Sequence, residues 1–245
     1  TMAFPQTIMG KHGWEKVSTT AQKHKVGSRM QIGEREFVYI STGEAAGPGL
    51  LMMQPAATGA HDLDLAVSAA SAGATTVTLS GSLTITLNQY KDGWLVFNDV
   101  GEEGHMYRIK SNTAVSSATG CVLTLDEEDG LVTAITASQQ VGLSANPYTA
   151  STIYQHDAIV GSPLGWTCAD IASGSYGWIC VKGPTVALVT GAITIGLPCV
   201  AANDTLDGAV EALDSDDDAE GTIVGYMGNT VGVTGEYGLI MANIQ

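Results

Sequence analysis

Charged side chains are scarce in this chain: Asp, Glu, Lys and Arg make up 14% of its 245 residues, and only ten are basic against 25 acidic. So little charge does not suit long surface helices, whose exposed faces are normally dressed in Lys, Glu and Arg. The shortage of cations, with a net charge of −15 and a pI near 4.4, counts against a nucleic-acid partner, because phosphates are held by clustered Lys and Arg. Cysteine is limited to Cys121, Cys168, Cys180 and Cys199, with no C-x-x-C spacing. That pattern predicts buried thiols in strands and no need for an oxidising compartment. No apolar run approaches the roughly 20 residues of a membrane-spanning helix. Residues 2–10 lack the charged start and sustained apolar core of a secretory leader. The expectation is a chain made and used in soluble form, without a membrane partner.

What the chain does have is glycine, 30 residues of it, and a hydrophobic fraction of 44%. Its length accommodates one large β domain or two small ones with a buried core. The few basic residues are unevenly placed. Lys11, Lys16, Lys23, Lys25, Arg29 and Arg35 all precede Val38, alongside only Glu15, Glu34 and Glu36. A basic segment on an acidic body can dock on an acidic neighbour, another copy included; the other reading is a solvated tail.

Residues 1–30 show neither helical nor strand periodicity, and Trp14 is their one large anchor. We read 1–35 as an extended arm that does not bury itself and is ordered by lying on a neighbouring subunit. Trp14, Lys11, Lys16, Lys23, Lys25 and Arg29 are its expected interaction residues, Trp14 filling a pocket. The alternative has Trp14 folding back on its own domain.

Beyond the arm, strand-sized runs rich in β-branched and aromatic residues alternate with turn chemistry. They fall at 36–41, 50–54, 76–79, 83–87, 94–98, 105–111, 121–125, 131–135 and 141–143. A second series follows at 176–181, 186–189, 193–195, 198–201, 209–213, 222–227 and 237–244. Turns are expected at Lys182-Gly183-Pro184, Thr190-Gly191, Gly196-Leu197-Pro198 and Asp207-Gly208. The predicted fold is therefore all-β: an N-terminal extended arm (1–35), then two small β-sandwich or barrel modules at 36–150 and 151–245.

Candidate chemistry is thin. The acid run Asp214, Asp216, Asp217, Asp218 and Glu220 fails as an EF-hand loop, which from Asp214 needs Gly sixth and Glu twelfth where the chain has Ala219 and Gly225. A looser calcium site there stays open beside the reading as a solvated hairpin tip. Asp126, Glu127, Glu128 and Asp129 form a second acidic turn. The histidines His12, His24, His61, His105 and His156 stand singly, without metal-binding spacing. His61-Asp62 and His156-Asp157 each pair a base with an orienting acid, yet no nucleophile elbow accompanies them. Gly225, Gly228, Gly232, Gly235 and Gly238 lead into a strand and not a helix N-terminus, so they are not a phosphate loop. Trp94, Trp166, Tyr176, Trp178 and Tyr226 serve either a core or sugar stacking. No catalytic, cofactor or metal residue is expected, and the chain reads as a non-enzyme.

One likeness spans most of the chain. Its glycine and apolar patterns are G-x-Y-G-W-I-x-x-x-G-P from Gly174, G-x-P-x-V from Gly196, D-G-A-V-E-A-L from Asp207, and V-G-Y followed by G-x-T-G-E-Y-x-L-I from Val224. Near the start stand H-G-W-E-K-V from His12 and Q-K-H-K-V-G-S-R-M-x-I-G-x-R-x-F-V-Y from Gln22. Together these resemble virion structural proteins of tailed bacteriophages, and the closing strands are similar to small capsid-decoration modules. The resemblance implies a protein that decorates or cements the capsid shell through subunit contacts. Its implied partners are the major capsid protein and copies of itself as a homotrimer. The implied setting is the capsid surface of the virion, after synthesis in the host cytoplasm, and no cofactor is implied. The alternative function is a receptor-binding spike or tail adhesin recognising host-surface glycan.

Overall fold

The computed structural model describes residues 7–99, 103–157, 161–203, 205–213 and 222–244. The acid run 214–220, with its open calcium question, lies outside the described residues. The protein is all-β with barrel-like sheets. Helical structure among the described residues is confined to single 3-10 turns at Trp14–Lys16 and Gly59–His61.

In chain order the strands begin with β1 (Thr7–Met9), β2 (Arg29–Ile32), β3 (Arg35–Ser41) and β4 (Leu51–Met53). Next come β5 (Leu65–Ala66), β6 (Thr76–Leu79), β7 (Leu83–Ile85), β8 (Trp94–Asp99), β9 (Met106–Asn112), β10 (Val115–Ala118), β11 (Cys121–Leu125) and β12 (Gln140–Ser144). The last are β13 (Thr152–Ile153), β14 (Pro163–Thr167), β15 (Tyr176–Val189), β16 (Pro198–Ala201), β17 (Ala209–Ala212), β18 (Ile223–Met227) and β19 (Tyr237–Asn243). Local sequence explains many of them, because alternate residues point to opposite faces of a strand. In β11 the residues Cys121, Leu123 and Leu125 are buried and Val122 and Thr124 less so. In β19 Gly238, Ile240 and Ala242 are buried between exposed neighbours.

The chain forms two compact units, one of residues 57–146 and one built from both chain ends, 1–56 with 147–245. This differs from the expected modules at 36–150 and 151–245. The reason is long-range pairing: β3 lies antiparallel to β15, Trp178 opposite Tyr39 and Ile179 opposite Val38. Periodicity marks a segment as a strand without saying which distant strand it joins.

In the 57–146 unit a six-stranded sheet runs β5-β12-β8-β9-β11-β6. It closes on itself where Val67 bridges Leu79, Ser68 N donates to Thr78 O, and Ser80 N donates to Ala66 O. The interior holds Val67, Val77, Leu79, Leu95, Phe97, Ile109, Leu123 and Val141, all essentially without solvent exposure. Each such aliphatic or aromatic side chain contributes about 1.5–3 kcal/mol by leaving water. Residues 131–135, expected as a strand, instead form a loop whose Leu131 and Ile135 plug this core, Ile135 bridging Ala70.

The other unit consists of two strand circuits that share β15. One runs β15-β17-β16-β18-β19 and back to β15. The second runs β3-β15-β14-β4-β13, closing where Ser151 bridges Thr42 and exchanges backbone hydrogen bonds with Ser41 and Gly43. β15 can serve both because it is 14 residues long. The expected turn at Lys182-Gly183-Pro184 is a kink inside this strand. Gly183 has φ 91°, and a Cβ there would stand 2.7 Å from Glu34 O, so only glycine passes. β4 is buried on both faces, Met52 packing with Val38, Ile40 and Ile179, Leu51 and Met53 with Trp166 and Val189. Residues 193–195, also expected as a strand, contribute only an isolated bridge from Ile193 to Val231.

The segment expected to be an arm is extended in places but lies on its own chain. β1 runs parallel to β2, β2 antiparallel to β3, and Thr19 bridges Tyr176. Met30 and Ile32 of β2 are buried against Phe37, Tyr39, Trp178 and Cys180. The R-M-Q-I alternation of β2, exposed then buried, is what lets this stretch bury itself.

Candidate interaction surface

The outer face of β19 is where the sequence pattern and the sheet geometry part company. An antiparallel sheet with one wet side ordinarily alternates apolar inward with polar outward. Here Ile240 and Ala242 point inward while Tyr237, Leu239 and Met241 point out. Cross-strand register extends that outer row. Val186 of β15 stands opposite Leu239, Pro184 opposite Met241, and Tyr226 of β18 opposite Met241. Pro198 of β16 in turn stands opposite Tyr226. Tyr237, Leu239, Met241, Val186 and Tyr226 are each between 41 and 53% exposed. These side chains line up as an apolar row on the outer side of the sheet, where polar side chains are the ordinary case. Runs that are apolar at odd and even positions alike were its signal in the sequence, but they read equally as strands buried on both sides.

Beside the row lies a cleft of about 610 Å³ whose apolar wall is Pro48, Val186, Tyr237 and Leu239. Its polar wall is Glu15, Lys16 and Arg35. The Glu15 side chain is only 5% exposed. It accepts a hydrogen bond from Gly13 N at 2.7 Å and meets Arg35 Nη1 at 3.4 Å. Arg35 also stacks over Phe37, its Cζ 4.6 Å from the ring centroid. Cys168 lines the same cleft, and burial pushes its thiol up to about 12, so it is a protonated thiol and not a nucleophile at neutral pH. Burial likewise raises Cys121 and Cys180, and Cys199 to about 11. All four cysteines are free; Cys121, Cys180 and Cys199 are buried and Cys168 is partly so.

The expected interaction residues all lie in the unit formed by the chain ends. Lys11, Lys16, Lys23, Lys25 and Arg29 are exposed. Arg29 and Lys182 both approach Glu36, at 3.6 and 3.8 Å. Trp14 is 45% exposed and folds toward its own chain, bordering an aromatic cleft with His24, Tyr39 and Trp178. Within that cluster Tyr39 stacks on Tyr176 at 5.9 Å and meets Trp178 at 5.0 Å. Trp166 and Trp178 are core residues, Trp94 is half-buried beside Arg108, and Tyr226 belongs to the outer row. His61 is buried and bonded to the Tyr90 hydroxyl at 2.6 Å, so it supplies no accessible base. His156 is brought to Asp207, a partner 51 positions away that no local motif reveals.

No helix among the described residues is long and apolar enough to cross a membrane. No family model, no curated protein and no solved structure matches this chain. What fold and surface together define is an all-β protein with an apolar outer sheet face on an acidic body.

Proposed function

We propose that this chain is a structural protein of a tailed-bacteriophage virion that decorates and cements the capsid shell. The observation that carries the reading is the apolar row Tyr226, Met241, Leu239 and Val186 on the outside of a sheet whose inner side already has its core. The likeness of the closing strands to capsid-decoration modules supports it. In this reading the row meets the major capsid protein or further copies of the chain, assembled as a homotrimer. Each contact removes at least ~1,000 Å² from water, as a specific interface requires. Binding only to the assembled shell stabilises that state by mass action, and the acidic remainder faces solvent and keeps the particle soluble. Heating particles with and without the protein tests this. Particles lacking it rupture at a lower temperature; an unchanged rupture temperature overturns the cement role.

A second reading, a spike or tail adhesin for host-surface glycan, rests on the cleft beside Trp14, where an exposed indole borders Lys23 and His24. Aromatic faces with a polar rim suit sugar rings. Copy number separates the two: many copies on the head favour cement, a few at the tail favour the adhesin.

A further inference from the structure

We propose that His156, Asp157 and Asp207 bind a divalent first-row transition cation of the zinc type. One ligand atom from each of the three lies within 4.8 Å of the others. Among the described residues no other three His, Cys, Asp or Glu side chains converge in this way. Donors sharing a cation at ~2.0–2.2 Å stand at most roughly 4.4 Å apart, so modest side-chain rotation closes the set. Asp157 and Asp207 are exposed and have that freedom. One imidazole nitrogen with two carboxylate oxygens is a mixed donor set that suits zinc better than calcium or magnesium, which take oxygen alone. Water fills the remaining positions. The net charge of −15 adds a general attraction for cations.

Both segments are held in place. Gly208 N donates to Tyr154 O at 2.7 Å, and Leu51 N donates to Gly208 O at 2.8 Å. The His156 backbone N–H donates to Asp207 Oδ1 at 3.2 Å, and the ring Nδ1 lies 2.8 Å from the same oxygen. That 2.8 Å spacing is close to the separation of two donors sharing one cation, so the ring Nδ1, once deprotonated, and Asp207 Oδ1 take the ion between them. The position in the fold supplies a purpose. His156 follows β13, in the circuit with β3, whereas Asp207 precedes β17, in the circuit with β19. A cation here ties together the two circuits that share β15. Because the unfolded chain does not gather these donors, binding raises the unfolding temperature.

The test uses the full chain stripped of metal with a chelator, titrated with Zn²⁺ alone by calorimetry and thermal unfolding, and with Co²⁺ by visible absorption. The expected result is one saturable Zn²⁺ per chain, a higher unfolding temperature, and a Co²⁺ d–d band. His156→Ala and Asp207→Asn each weaken binding by ~10-fold or more and erase the band. Asp157→Asn, at an exposed position, supplies a folded variant should the first two lose the fold, and it too weakens binding. Absence of saturable Zn²⁺ binding, undiminished binding in these variants, or a preference for Ca²⁺ that ignores His156→Ala overturns the site.

Discussion

The ring of Tyr237 lies over Gly49, whose missing Cβ makes room for it. A Cβ there would stand 2.9 Å from Tyr237 Cε1 and 3.5 Å from Val186 Cγ1. Gly49 is itself pinned, its N–H donating to Thr167 O and its carbonyl accepting from Leu188 N. The outer apolar row is therefore buttressed by the loop before β4, so the geometry of this surface is set by the core strands behind it.

That relationship predicts the effect of Gly49→Ala. Gly49 has φ 80°, where an L side chain is strained whatever the space around it. We expect a loss of about 1–3 kcal/mol, with Tyr237 pushed off the loop. Urea unfolding measures the first effect and near-ultraviolet circular dichroism the second.

Adjacent residues of β19 give opposite outcomes. Ile240 is fully buried against Val224 and Val189, so Ile240→Ala lowers stability by about 2–5 kcal/mol. Leu239→Ser and Met241→Ser alter exposed positions and change the unfolding free energy by no more than about 0.5 kcal/mol. On the proposed cementing role, only the serine variants are expected to lose binding to particles while staying folded. Sedimentation of particles with each purified variant, beside its denaturation curve, separates the two effects.

How much of this was legible in the sequence depended on whether the information was local. The strands at 121–125 and 198–201 coincide with β11 and β16, and those at 36–41 and 94–98 differ from β3 and β8 by a residue at one end. There, period-2 burial and turn chemistry agree. The pairing of β3 with β15, and with it the insertion of residues 57–146, was not legible, because pairing depends on packing between segments far apart. Lys182-Gly183-Pro184 misled for a related reason: the same residues that end a strand also kink one passing between two circuits. The first 35 residues looked structureless because β1 and β2 are short, and the hydrophobic face they cover belongs to β3 and β15. The clustering of basic residues in the N-terminal segment was legible from composition alone. The meeting of His156 with Asp207 was not.

The Glu15–Arg35 pair anchors that N-terminal segment to β3. Glu15 is nearly without solvent, so Glu15→Ala removes the acceptor of Gly13 N and leaves the Arg35 guanidinium without its carboxylate. We expect a loss of up to about 3 kcal/mol, larger than for Arg29→Ala, whose partner Glu36 is a third exposed and also reached by Lys182. Limited proteolysis reads the consequence directly: cleavage within residues 7–28 accelerates in Glu15→Ala and not in Arg29→Ala.

The buried thiols predict how stability responds to alkali. Burial holds Cys168 up to about 12 and Cys199 up to about 11, against 9.0 in the unfolded chain. Over that range the unfolded state releases protons that the folded state keeps, so each thiol's contribution is fully present below pH 9. It is lost as pH rises through about 11 for Cys199 and about 12 for Cys168. Burial shifts Tyr90 and Tyr154 upward too, which adds a decline in the same direction above pH 10. Denaturation midpoints should be insensitive to these groups between pH 7 and 8 and fall from about pH 9 upward. Cys199→Ala distinguishes the thiol's part, because it flattens the curve between pH 9 and 11 even where the cavity it leaves lowers the whole curve. A native-state thiol reagent at pH 8 supplies the independent check. Modification of Cys199 should proceed only at the rate of unfolding, since thiolate and access both require the β16–β18 pairing to open.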